Sequence, residues 1–197
     1  MDPSKIDAAR SYMNTNLLKI IDKFAFFKKS ETRAGVKPMQ WQEVCEHSSL
    51  RDLPFKIETN EKGEIVMNAV KVIRSLYQGE IEYRLRSLLQ GGKTLPECAI
   101  KTRKGTRVAD VAWATMERVK TIKHESECSI APEICIEVLS NSNTDDEMEE
   151  KRMLYFESGA QEVWLCLDGV IHFYAAQGRL ERSAIAPRFP ERISLDE

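Results

Sequence analysis

The sequence predicts an α/β fold: a mixed β-sheet flanked by helices, preceded by an N-terminal helical extension. Three features carry that expectation. Residues 133–139, EICIEVL, form a short apolar run rich in β-branched residues, as a strand buried on both faces requires. Thr144 with Glu147 three residues on makes a capping box, and Asp145 and Asp146 favour the positive end of a helix dipole. A helix is therefore expected over about 145–158, with Gly159 placed as its left-handed cap. Two strands, EVWLCL and VIHFYAA, follow it, joined at Asp168-Gly169, a dipeptide that favours a tight hairpin.

The other elements follow along the chain. In residues 1–38, Leu17, Ile20, Ile21, Phe24 and Phe27 recur at helical spacing, and a polar stretch with Gly35 and Pro38 ends the pattern. An apolar stripe of that width is expected to pack on the main domain, residues 39–197, or across a homodimer interface. KIETNEKGEIVMN reads as two short strands joined by a turn at Glu61-Lys62-Gly63. Ile73, Leu76, Tyr77, Ile81, Leu85, Leu88 and Leu89 then mark a helix, with Gly79 as a local cost of ~1 kcal/mol and Gly91-Gly92 as its end. CAIKTR and TRVADVAWAT flank a turn at Lys104-Gly105 and read as a strand pair, whereas 116–127 is polar and without clear period. The expected order is ββαβββαββ around one sheet.

Composition narrows the function classes. A chain of 197 residues is long enough for one domain with an appendage and needs neither disulfide nor structural metal to hold a core. With 29 Lys and Arg against 31 Asp and Glu, the net charge of −2 excludes a uniformly basic nucleic-acid coat protein, though not a local basic surface. No apolar run reaches the ~18 residues that span a bilayer, and the first residues lack a secretory pattern. The five cysteines include no C-x-x-C, and Cys135 and Cys166 lie in apolar strands, so reduced thiols in a cytoplasmic protein are expected. His124, Cys128 and Cys135 fit no common zinc spacing and supply only three ligands.

Two carboxylates stand where apolar residues are expected. Strand alternation sets Val108, Asp110 and Ala112 on one face of their strand, with Val111 and Trp113 on the other. Glu137 lies mid-strand, sharing a face with Cys135 and Leu139. A buried, unpaired carboxylate costs several kcal/mol, so each must be protonated, hydrogen-bonded or bound to a cation. Two of them on neighbouring strands make a divalent-cation site plausible, because Mg²⁺ takes oxygen ligands from one or two carboxylates and keeps several waters. On the capped helix, Met148, Lys151 and Tyr155 share a face, so a face packed on the sheet points a lysine at those strands. The alternatives are ordinary: Lys151 pairing with Glu147 in solvent, Asp110 with Arg107 or Arg103, and Glu137 in a structural ion pair.

Asp110, then Glu137 in a strand, then Lys151 resembles the PD-(D/E)xK nuclease superfamily and its restriction-endonuclease-like fold. The chain is most similar to the Uma-type family of bacterial endonucleases, long catalogued as a domain of unknown function. The carrying residues are Glu137-Val138-Leu139-Ser140, Lys151 with Tyr155 four residues on, Gly159, and Glu162-Val163-Trp164. Upstream, Glu58 and Gly63 resemble the family's glutamate-then-glycine hairpin, and FPERISLDE its closing segment. The likeness spans about 39–197.

The resemblance implies metal-assisted hydrolysis of DNA phosphodiesters. Asp110, Glu137 and the backbone carbonyl after Glu137 would hold Mg²⁺ or Mn²⁺, Lys151 would orient water or stabilise developing charge, and Glu58 would ligate or support. Lys101, Arg103, Lys104 and Arg107, in the hairpin leading to Asp110, form a grip for phosphates or else a solvated turn. The chain departs from the family at three places: Ala109 stands for the proline of "PD", Leu139 breaks E-x-K so that Lys151 supplies the lysine, and Gln78 replaces a helix histidine, with Glu82 one turn on as substitute. These departures leave open a catalytically inactive, interaction or nucleic-acid-binding module on the same fold, or a structural partner protein whose carboxylates merely pair with lysines.

Overall fold

A computed structural model describes residues 39–50, 53, 55–140 and 143–195. The expected N-terminal helix, with its stripe from Leu17 to Phe27, lies outside them.

The first described helix, α1 (Trp41–Glu46), opens on a capping box between Gln40 and Glu43. Next come β1 (Phe55–Thr59) and β2 (Ile65–Ala69), an antiparallel ribbon whose turn is tied by Asn60 Oδ1, which accepts from the amides of Lys62 and Glu64 at 3.0 Å each. Helix α2 (Val72–Leu88) follows, and it buries Ile81 and Leu85. The long hairpin of β3 (Gly92–Thr102) and β4 (Gly105–Thr115) leads into α3 (Met116–Ile122) and then the short β5 (Ile134–Val138). Helix α4 (Asp145–Glu157) crosses to β6 (Glu162–Leu167), and β7 (Val170–Ala175) and β8 (Gly178–Leu180) complete the sheet.

The main sheet has six strands in the order β3-β4-β5-β6-β7-β8. Neighbours are antiparallel except β5 and β6, which are parallel and therefore need a crossover, the role α4 fills. Each face has its own core. On one, Ile81 and Leu85 of α2 pack with Val111, Ile134, Ile136, Trp164 and Phe173. On the other, Ile122 of α3 and Tyr155 of α4 pack with Ile100, Ala112, Cys135 and Val163. Val163 and Trp164 enter opposite cores, as strand alternation demands.

The capped helix runs over the expected residues, with the Thr144–Glu147 box formed and Gly159 at φ +106°. Several expectations need correction. The ribbon β1–β2 forms its own small sheet instead of joining the central one. Within the indistinct stretch 116–127 lies α3, whose seven residues are too few to show a period; Thr115 caps it by accepting from the Arg118 amide at 3.3 Å. Strand β3 begins at Gly92 because a Cβ there would sit 2.3 Å from the Trp113 ring, so only glycine lets the strands approach. Regular alternation also fails at Asp110. Ala109 packs in the same core as Ala112, while Val111 packs in the other, so the strand twists at Asp110 and not strictly by twos. Opposite that twist, Glu97 adopts φ +48°.

One mismatch in length creates the site. Strand β4 has eleven residues and β5 five, and their pairing ends at Val111↔Ile136. The first half of β4 therefore has an unpartnered edge, and β1 covers it with side chains. Thr59 Oγ1 accepts from the Thr106 amide and Glu58 Oε1 from the Val108 amide, both at 2.8 Å.

Candidate active site

Asp110 and Glu137 stand one residue beyond the last paired positions of β4 and β5, directly across from each other where the ladder opens. Asp110 is fully buried and Glu137 nearly so. The Asp110 carboxylate replaces the missing ladder bond: its Oδ2 accepts from the Val138 amide at 2.7 Å. Lys151 projects inward from α4, its ammonium 3.0 Å from Glu137 Oε1 and 2.8 Å from Glu58 Oε1. It is not a solvated partner of Glu147, whose carboxylate is turned back to the Thr144 amide. Tyr155, one turn along the same face, donates its hydroxyl to Glu137 Oε1 at 2.6 Å.

Two further cations complete the cluster. Lys56 Nζ lies 2.5 Å from Asp110 Oδ1 and 3.7 Å from Glu137 Oε2. Arg74, in the first turn of α2, grips both Asp110 oxygens at 2.6 Å and stands 3.8 Å from Glu137 Oε2. Three carboxylates thus face three cations in a buried, formally neutral group. Asp110 pairs with neither Arg107 nor Arg103. The local alternation that sets Glu58 toward β4 sets Lys56 on the same face of β1, and this was the available signal for Lys56. Arg74 carries no such mark, because its partner lies 36 residues away.

Each titration follows from this arrangement. Burial pushes the Asp110 carboxyl up, but Lys56 and Arg74 outweigh it and hold the group below the usual carboxylate range. Glu58 is likewise lowered, burial being overcome by Lys151 and Lys56. Glu137 ends above its ordinary value: burial is the largest cause, Lys151 and Lys56 pull it down, and the neighbouring Asp110 and Glu58 charges push it up again. Lys151 is raised, since Glu137 and Glu58 more than offset its burial, so it stays an ammonium. Tyr155 is raised by burial and then by Glu137, so it remains a hydrogen-bond donor.

The remaining predicted residues lie outside this group. Lys101, Arg103, Lys104 and Arg107 cluster around the β3–β4 turn as expected, but each has a partner: Glu127, Glu157, Glu150 and the Thr59 carbonyl respectively. Gln78 touches the Asp110 carbonyl at 3.5 Å and donates to Glu97 at 2.8 Å. Glu82 is engaged by Arg86 and by Thr94 at 3.1 Å, away from the cluster. Glu162, part of the Glu-x-Trp element, is structural. It accepts from Trp164 Nε1 at 2.8 Å, Ser183 Oγ at 2.6 Å and the amides of Ala184 and Ile185 at 2.7 and 3.0 Å.

Among the described residues no three His, Cys, Asp or Glu side chains converge as a ready-made metal cage. The donor chemistry nevertheless fits a hard divalent cation, since Asp110 and Glu137 carry carboxylates on adjacent strands, across from each other where the pairing stops. No described helix is long and apolar enough to cross a membrane.

A sheet crossed by α4, with an acidic pair at its opening and an inward lysine, is the architecture of restriction-endonuclease-like proteins. The chain belongs to the Uma2 family, described as "Putative restriction endonuclease", whose profile matches residues 47–196. It is also similar to the crystal structure of "a putative nuclease belonging to DUF820" from Anabaena variabilis. That likeness has a TM-score of 0.59 at 17% identity and covers 80% of this chain and 96% of the other, so it speaks for the fold. No curated protein matches the chain.

Proposed function

We propose that this protein is a divalent-metal-dependent endonuclease that hydrolyses phosphodiester bonds of DNA. The observation that carries the reading is the convergence of Asp110, Glu137 and Lys151 at the opening between β4 and β5, in a chain whose family is described as "Putative restriction endonuclease". Asp110 and Glu137 would hold Mg²⁺ or Mn²⁺, and the ion when bound lowers the pKa of a water and neutralises charge on the scissile phosphate.

The chain's own residues do the rest. Lys151, held as an ammonium between Glu58 and Glu137, is a fixed positive charge at the site and stabilises the oxyanions that develop during attack. It is no general base, because its proton is held too tightly. Tyr155 keeps the Glu137 carboxylate oriented, and Glu58 ties Lys151 to the β4 backbone. Lys101, Arg103 and Lys104 are exposed enough to exchange their glutamate partners for backbone phosphates, which confines DNA contact to one end of a chain of net charge −2.

The test is nicking of supercoiled plasmid in Mn²⁺ or Mg²⁺ against chelator, with wild-type protein and Asp110→Asn. Ion-dependent nicking that vanishes in the variant is expected. Wild-type protein that nicks neither plasmid nor single-stranded DNA with any divalent ion would instead favour a non-catalytic module.

A further inference from the structure

We infer that Lys56 is a tethered competitor for the divalent ion: its ammonium stands between Asp110 and Glu137 and must leave before metal can bind. The inference rests on the metal-dependent reading above. Asp110 has no oxygen free, since Lys56, Arg74 and the Val138 amide together use both. Glu137 Oε1 is taken by Tyr155 and Lys151, and its Oε2 faces Lys56 and Arg74 at 3.7 and 3.8 Å. The oxygens of Asp110 and Glu137 that an ion would have to bridge are therefore already held by chain donors. A formally neutral cluster attracts a dication far less than the same carboxylates would alone.

The placement of the cations supports displacement over permanence. The carboxylates are built into β4 and β5 of the central sheet, whereas Lys56 comes from the separate β1–β2 ribbon and Arg74 from the start of α2. Lys56 also borders a cavity of about 300 Å³, lined in addition by Trp41, Leu50, Phe55 and Glu97. That cavity gives its stem room to withdraw and a second carboxylate to meet. Lys151 differs, because it bonds Glu58 and Oε1 of Glu137, the oxygen turned away from Lys56, and need not move.

The experiment is calorimetric titration of Mn²⁺ into the full chain, with thermal melting of the same samples. Lys56→Gln should bind Mn²⁺ about tenfold more tightly than wild type, or better, and Asp110→Asn added to it should abolish that gain. Without metal, Lys56→Gln should melt lower than wild type, and saturating Mn²⁺ should restore most of the loss. Lys56→Arg, which keeps the charge, should bind as weakly as wild type. Should Lys56→Gln fail to fold, Lys56→Met, which keeps the stem's packing and removes the charge, must show the same tightening. Equal affinity in wild type and the neutral variants overturns the inference and leaves the metal-dependent reading standing. No Mn²⁺ binding by wild type or any variant overturns both.

Discussion

Replacing Lys151 by methionine keeps the stem's packing and removes the charge, so it isolates what the ammonium does. In the folded protein the group is 11% exposed and lies 2.8 Å from Glu58 and 3.0 Å from Glu137. Its loss leaves two buried carboxylates short of a counter-charge, and breaking a buried pair from one side costs ~3–5 kcal/mol. Part of that cost is recovered through protonation, because Glu137 already sits above its ordinary value and loses a neighbour that pulled it down. Urea unfolding of Lys151→Met should therefore show a loss of about 3 kcal/mol near pH 8 and a smaller loss near pH 5.5. Plasmid nicking by the variant should fall by about 10²-fold or more, the scale for removing one transition-state stabiliser. A stability change of ~0.5 kcal/mol or less at both pH values, the figure for a solvated pair, would refute the buried placement. Unimpaired nicking would remove Lys151 from the mechanism.

Stability should also follow pH with a definite shape. Asp110 and Glu58 are depressed in the folded state, so their contribution is complete above about pH 5 and drains as acid titrates them, while Glu137, being raised, works in the opposite sense and offsets part of the loss. Lys151 is raised, so its contribution is complete below about pH 10 and is lost above. Melting temperatures from pH 3 to pH 11 should form a plateau that falls at both ends, and Asp110→Asn should flatten the acid side. Glu162→Ala strands four donors at once, two of them buried and two partly buried, and should cost at least ~3 kcal/mol in chemical unfolding without altering Mn²⁺ affinity. A change of affinity would show that Glu162 communicates with the cluster.

What was legible in the sequence was whatever depended on near neighbours. The α4 helix announces itself because its cap, its acidic first turn and its terminal glycine all lie within 16 residues of one another. Glu137 is conspicuous because a carboxylate interrupts a run of β-branched residues, and Lys151 because it shares a helix face with Met148 and Tyr155, both buried. What depended on tertiary contact was hidden. Lys56 and Arg74 meet Asp110 across 54 and 36 residues; Lys56 at least shares a strand face with Glu58, whereas nothing local sets Arg74 apart from a surface cation. The twist at Asp110 and the β1–β2 ribbon over the β4 edge both lie where β4 outruns β5, a difference in length that appears only when the strands pair.

The proposed chemistry turns on one location, the space between the carboxylates of Asp110 and Glu137. Crystals grown or soaked in Mn²⁺ and measured at the manganese absorption edge test it directly. An anomalous peak bridging those two side chains is expected, with the Lys56 ammonium withdrawn from Asp110 and Lys151 still on Glu137. A Lys56 ammonium still bonded to Asp110, with no anomalous peak between the carboxylates at saturating Mn²⁺, would contradict it.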